Sequence, residues 1–239
     1  MSTGHASEER GSMPVSKVGV IGGGLMGSGI AEVSARAGLD VVVVESTDEA
    51  TKVATGRLEM SLERAEKRGR IESASAVLER ICVVADLDAV FDRDLVVEAI
   101  VEDEGAKVAL FQNIDDIVTM PDAILASNTS SIPIMKLGTV TSRPSQVIGI
   151  HFFNPVPVLD LVEIVPSLLT STDTAERARQ WVKELGKQAI DCQDRAGFVV
   201  NALLIPFVLS AIRMFESGFA SATRRRTSTR WRRPRSWRG

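Results

Sequence analysis

An open α/β fold, with a doubly wound and mostly parallel sheet, is predicted by three features of the 239-residue sequence. Short continuous apolar runs recur along the chain and alternate with stretches of helical periodicity, as expected of strands covered on both faces. A glycine-rich turn, Gly22-Gly23-Gly24-Leu25-Met26-Gly27, stands between the first such run and the first helical pattern. The composition, 44% apolar and 25% charged, suffices for a buried core and excludes disordered, collagen-like and disulfide-stapled classes.

Residues 1–16 are polar and carry acids but no apolar core region, so they read as a disordered leader rather than a secretory signal. Lys17–Ile21 reads as a strand, the glycine turn follows, and Ile30–Ala37 is helical. Asp40–Glu45 is an apolar run ending in an acid, the pattern of a second, parallel strand. From Asp48 to Arg80 the pattern is helical, highly charged and broken at Gly69. That is longer than a simple crossover needs, and it reads as a helical hairpin projecting from the sheet. Further strands are expected at Ile81–Val84, Leu95–Ile100, Ile124–Ser127 and Val147–Phe152, with a helix over Glu104–Val118. Leu161–Val165 and Gln188–Ile190 add edge strands around a helix over Thr174–Leu185. Alternation of this kind defines a doubly wound sheet of the Rossmann type.

A change of domain is expected after Asp194-Arg195-Ala196-Gly197, which gives a sheet domain over 17–196 and the start of a helical domain over 197–221. The apolar run Phe198–Ile212 is too short for a membrane span and contains Asn201, Pro206 and Ser210, so it reads as a buried helix. The formal charge of −3 hides two unlike pieces. Residues 222–239 hold eight Arg and no acid, and without them 20 basic residues face 31 acidic ones, a charge of −11. Cys82 and Cys192 show no metal or disulfide spacing; they read as small buried residues in a reducing, cytoplasmic compartment. The only histidines are His5, in the leader, and His151, so histidine chemistry falls on His151.

Gly22, Gly24 and Gly27 form G-x-G-x-x-G between strand and helix. The first permits the turn, the second admits a pyrophosphate to the backbone, and the third lets helix and strand pack closely. Leu25 and Met26 complete that loop, and the helix N-terminus offers free N–H groups to phosphates. Glu45 ends the second strand 18 residues beyond Gly27, where an acid hydrogen-bonds the adenosine ribose. A carboxylate there repels a 2′-phosphate and favours NAD over NADP.

Two further segments are candidates for chemistry, although alone the first reads as an ordinary polar turn and helix cap and the second as a core histidine in a structural salt bridge. Ser127-Asn128-Thr129-Ser130-Ser131 follows a strand at the carboxyl edge of the sheet, where such folds bind ligands. His151 also ends a strand, and Glu163 lies twelve residues later inside the apolar Leu161–Val165 segment. A lone buried carboxylate is costly, and His151 is its candidate partner. A histidine oriented by a carboxylate is suited to take a hydroxyl proton while hydride leaves the same carbon.

The segments GVIGGGLMGSGIA, VVEAIVED, SNTSS, HFFNPVPVLDLVEIV and GFVVNALLIPFVLSAIRMFESG, in this order and spacing, closely resemble the L-3-hydroxyacyl-CoA dehydrogenases, particularly the single-function 3-hydroxybutyryl-CoA type. The resemblance spans Lys17 to about Ala220. It implies NAD as cofactor, a short-chain acyl-CoA as substrate, His151 as catalytic base and Glu163 as the residue that orients it. It implies Ser130 and Asn201 at the substrate oxygen, and Glu102, Lys107, Ser130 and Asn154 on the nicotinamide side. Ser61 and Arg68 in the hairpin match positions that face coenzyme A. Arg68 stands for the family's Lys and keeps its charge, and Glu45 stands where Asp is more frequent. A homodimer is the family's expected state, with no membrane or nucleic-acid partner.

The resemblance ends at the Arg-rich run. Written with G-ending codons, Arg226 to Trp231 read one base earlier as Glu-Asp-Val-Asp-Ala-Val, similar to the family's continuation, and a frameshift is therefore expected there. On that reading most of the dimer-forming helical domain is missing and the apolar helix loses its cover. The alternative function is a catalytically impaired NAD-binding remnant of the family. A nucleic-acid tail would rest on the Arg-rich run alone.

Overall fold

The structure, a computed structural model, describes residues 14–219. Residues 1–13 of the expected leader and the whole Arg-rich tail, 222–239, lie outside the described residues. Eight strands form one sheet: β1 Lys17–Ile21, β2 Asp40–Val44, β3 Ile81–Val84, β4 Leu95–Glu98, β5 Ile124–Ser127, β6 Val147–Phe152, β7 Leu161–Pro166 and β8 Gln188–Asp191. Their spatial order is β3-β2-β1-β4-β5-β6-β7-β8; β6/β7 is the one antiparallel pairing of the sheet, so β7 and β8 run parallel to each other and opposite to the other six strands. Only β8 is therefore an edge strand on that side; β7, expected at the edge, is interior.

The β-branched runs explain the sheet. Along β2, Val41 and Val43 join one core layer while Val42 and Val44 join the other, since successive side chains point to opposite faces. The first layer is closed by α1 (Leu25–Arg36), α2 (Asp48–Lys67) and α6 (Thr172–Glu184), through Ile30, Leu58, Leu62 and Trp181. The second is closed by α4 (Glu104–Ile117) and the short α5 (Ile134–Gly138), through Phe111, Ile114 and Ile134. Each fully buried Val, Leu or Ile contributes about 1.5–3 kcal/mol, so these two layers supply most of the driving force.

The charged hairpin is α2 with the short α3 (Ala74–Leu78). It does not project freely: α2 buries Ala54, Leu58, Leu62 and Ala65 and leaves its charged faces to solvent. Thr47 caps α2 by accepting from the Ala50 N–H at 3.1 Å. Of the two thiols expected to be buried, Cys192 is and Cys82 is not. Cys82 lies on β3, the other edge strand, where only one neighbour covers the chain.

Contacts divide the chain into two compact units, the first ending at Asn201 and the second beginning at Ala202. The second contains most of the last helix, α7 (Val200–Glu216). No residue of α7 is buried, which corrects the expectation of a buried helix: Leu203 is 70% and Phe207 72% exposed. Among the described residues of that unit, no other element faces this apolar helix. No helix among the described residues is long and apolar enough to cross a membrane.

Candidate active site

The turn between β1 and α1 has the geometry its glycines demand. Gly22 has φ +95°, and a Cβ there would lie 2.8 Å from the Ala99 carbonyl oxygen. A Cβ on Gly27 would lie 1.7 Å from the Gly22 carbonyl oxygen, so only hydrogen lets α1 start this close to β1. At Gly24 nothing lies within 4 Å of a Cβ, and the backbone there borders open space. That space is a cleft of about 810 Å³ lined by Gly22, Gly24, Leu25, Met26, Glu45 and residues of the β3 and β4 ends. Gly24 caps α1 without a side-chain hydrogen bond, which leaves first-turn N–H groups free for phosphates.

Glu45 accepts from the Gly23 N–H at 2.7 Å, so the acid at the end of β2 is fastened to the glycine loop. The Gly23 carbonyl in turn accepts from Ser28 Oγ at 2.6 Å and from Arg57 of α2. A bare backbone cradle, a helix N-terminus and an acid at the ribose position fit a dinucleotide without a 2′-phosphate.

His151 and Glu163 face each other across the antiparallel β6/β7 pair, in direct register. Their spacing in sequence is thus the length of two strand ends and the loop joining them. His151 Nδ1 lies 2.7 Å from Glu163 Oε2, with Glu163 fully buried and His151 nearly so. Glu163 Oε1 accepts from the Val199 and Val200 N–H groups at 3.0 and 2.8 Å. The imidazole is also held edge-on by Phe153 and Phe198, at centroid distances of 4.6 and 5.5 Å. The loop after His151 is fixed by Lys187, whose Nζ donates to the Val156 and Leu159 carbonyls at 2.7 and 2.8 Å.

Beside this pair, the ends of β4 and β5 hold a polar network. Glu102 Oε1 accepts from Thr129 Oγ1 at 2.6 Å, from the Ser130 N–H at 2.9 Å and from Ser131 Oγ at 2.9 Å. Partial burial pushes the Glu102 carboxyl up, but these hydrogen bonds and the Lys107 charge outweigh it and hold it down at about 2. Lys107 lies 3.3 Å from Glu102 and also pairs with Glu98, a contact between fully buried groups. Asn128 Oδ1 accepts from the Phe152 N–H at 2.8 Å and ties the SNTSS loop to β6.

One cavity of about 310 Å³ gathers the residues expected around the reacting groups: Met26, Glu102, Lys107, Ser130, His151, Asn154 and Asn201 all line it, with Asn128. Met26, Ala99 and Ile100 also line the larger cleft, so the two spaces share a wall. Gly27 lines neither, because its part is the packing of α1. Ser61 and Arg68 are elsewhere, in a separate cavity of about 220 Å³ with Arg36, Arg64 and Arg70. Ser61 Oγ donates to the buried Glu32 at 2.5 Å. Sequence reasoning missed Glu98, Glu32 and Arg57, and it assigned no separate part to Ser127 and Thr129 within their loop. A buried acid inside an apolar run was a signal for Glu98; the others are visible only as tertiary contacts.

A dinucleotide-shaped cleft on the carboxyl edge of a doubly wound sheet, sharing three wall residues with a cavity that His151 lines, is the arrangement of an NAD-dependent oxidoreductase. The family described as "3-hydroxyacyl-CoA dehydrogenase, NAD binding domain" matches residues 17–195, and the chain belongs to it. It is 51% identical over 210 residues to a 3-hydroxybutyryl-CoA dehydrogenase of Mycobacterium tuberculosis, an alignment covering 87% of this chain and 73% of that protein. The solved structure of M. tuberculosis FadB2 superposes with a TM-score of 0.86 at 51% identity, over 88% of this chain and 75% of that one. The (S)-3-hydroxybutyryl-CoA dehydrogenase PaaH1 of Ralstonia eutropha gives a TM-score of 0.83 at 40% identity, over 87% of this chain and 74% of that one.

Proposed function

We propose that the chain oxidises the 3-hydroxyl of a short-chain L-3-hydroxyacyl-CoA, 3-hydroxybutyryl-CoA, to the 3-keto form, with His151 as the base. The observation that carries this reading is the 2.7 Å contact of buried Glu163 with Nδ1 of His151, which lines a cavity that shares a wall with the NAD cleft. Relatives with 3-hydroxybutyryl-CoA in their names support the substrate class.

NAD, when bound, supplies the hydride acceptor. With Nδ1–H donating to Glu163, Nε2 is the basic nitrogen of His151 and takes the substrate's hydroxyl proton. The C3–H bond breaks with its electron pair, and the O–H pair becomes the second bond of the carbonyl. Ser130 and Asn201 hydrogen-bond the reacting oxygen, and Glu102, Lys107 and Asn154 face the nicotinamide side. The loop Gly22–Gly27 and Glu45 hold the adenosine and pyrophosphate. Ser61 and Arg68, within a cavity rich in arginine, receive the phosphate-bearing end of coenzyme A. We place the start of the helical domain at Gly197, close to the division of the compact units at Asn201.

Formation of NADH from L-3-hydroxybutyryl-CoA, measured beside an NAD titration, tests this reading. Turnover with that thioester supports it. NAD binding without turnover refutes it.

A further inference from the structure

Glu98 has no part in the chemistry described so far, yet both of its carboxylate oxygens accept hydrogen bonds in the buried interior. It ends β4, is fully buried and lines neither cavity. Oε1 accepts from the Ile100 N–H at 2.8 Å and from Lys107, Oε2 accepts from Ser127 Oγ at 2.5 Å, and its backbone carbonyl accepts from the Asn128 N–H at 2.9 Å. One residue thereby ties α4, the β4–α4 loop and the start of the SNTSS loop together.

Stability does not explain it. A buried ion pair roughly breaks even against apolar residues of the same volume, and removing one partner strands the other. What the cluster does provide is a fixed relay: Glu98 holds Lys107, Lys107 holds Glu102, and Glu102 holds the Ser130 N–H. Only the last three residues of that relay border the 310 Å³ cavity. We infer that Glu98 is a positioning residue, which acts through Lys107 to set the SNTSS loop against the cofactor side of the cavity. The substrate side of this assignment rests on the function proposed above.

The variant Glu98→Gln tests the charge while keeping the shape, because the Ser127 hydroxyl can turn to accept from the new amide. NADH affinity is expected to weaken about fivefold or more and kcat to fall about tenfold, since small displacements of positioned groups are costly. In the free protein, amide exchange at Ser130 and Ser131 is expected to accelerate about tenfold as their acceptor loosens. A core variant away from the network, Ile114→Val, provides the control: compared at conditions of equal loss of stability, it should leave NADH affinity and exchange in this loop unchanged. If Glu98→Gln matches wild type in NADH affinity and loop exchange, or if the control shows the same losses, the inference is overturned.

If Glu98→Gln does not fold, the double variant Glu98→Gln/Lys107→Met removes both charges together. Its NADH affinity must equal that of Lys107→Met alone; a further loss shows that Glu98 acts otherwise than through Lys107 and overturns the inference. NADH affinity and exchange report on Glu98 even where 3-hydroxybutyryl-CoA is not turned over, so the two proposals fail separately.

Discussion

Replacing Glu163 by Gln probes the site at the buried carboxylate that orients His151. The carboxylate serves three donors with two oxygens: His151 Nδ1 on one side, and the Val199 and Val200 N–H groups on the other. An amide has one accepting oxygen and one donating nitrogen, so it satisfies only one side. If its oxygen serves His151, two backbone N–H groups face another donor, at about 1–3 kcal/mol for each one left unsatisfied. If its oxygen serves the backbone, the NH₂ group faces Nδ1, and the imidazole must carry its proton on Nε2, where it cannot act as a base. Loss of a charge-assisted hydrogen bond alone is about 1.5–3 kcal/mol, or roughly 10- to 150-fold in rate. An inverted tautomer has cost about 10⁴-fold in another His–carboxylate enzyme. Glu163→Gln is therefore expected to lower kcat about 10²- to 10⁴-fold while leaving NADH affinity unchanged. Steady-state NADH formation and NADH titration on the purified variant measure both. A fall of less than tenfold would refute this account of the pair.

Other expectations follow from particular contacts. Gly27→Ala places its Cβ 1.7 Å from the Gly22 carbonyl oxygen, a backbone atom that cannot swing aside. It should cost about 3 kcal/mol or more and abolish tight NAD binding, and wild-type stability in chemical denaturation would contradict that. Glu102 is held at about 2 against an ordinary 4.5, so its contribution to stability is present above pH 4.5 and is lost as pH falls through about 2. Melting curves of wild type and Glu102→Gln should converge over that range; a constant gap would sink the argument. Burial and the neighbouring Glu163 push the Cys192 thiol up to about 11, whereas Cys82 is exposed on an edge strand. An alkylating agent at mildly alkaline pH should modify Cys82 and spare Cys192 in the folded protein. Equal labelling of the two would contradict the described packing.

The sheet was legible because both of its faces are apolar: Asp40–Val44 can hardly be anything but a covered strand. The glycine turn was legible because its steric requirement is local. Glu163 was found by asking what a buried acid needs, and the antiparallel register supplied His151 directly opposite. The same question applies to Glu98 in Leu95-Val96-Val97-Glu98, where its partner, Lys107, lies one helix start away. Arg57 on Gly23 and Lys187 on the 156–159 loop could not be read, because those contacts join residues 34 and 31 positions apart with no periodicity to signal them. The readings of Cys82 as buried and of Phe198–Ile212 as a buried helix failed for a common reason. Apolar character says what a residue would bury, and neighbours in space decide whether it does.

His151→Ala tests the central claim most directly, because it removes the base and leaves the glycine loop and Glu45 untouched. With L-3-hydroxybutyryl-CoA and saturating NAD, turnover should fall about 10²-fold or more while NADH binds as tightly as to wild type. Near-normal turnover, or a parallel collapse of NADH affinity, would contradict the assignment of His151 as the proton acceptor.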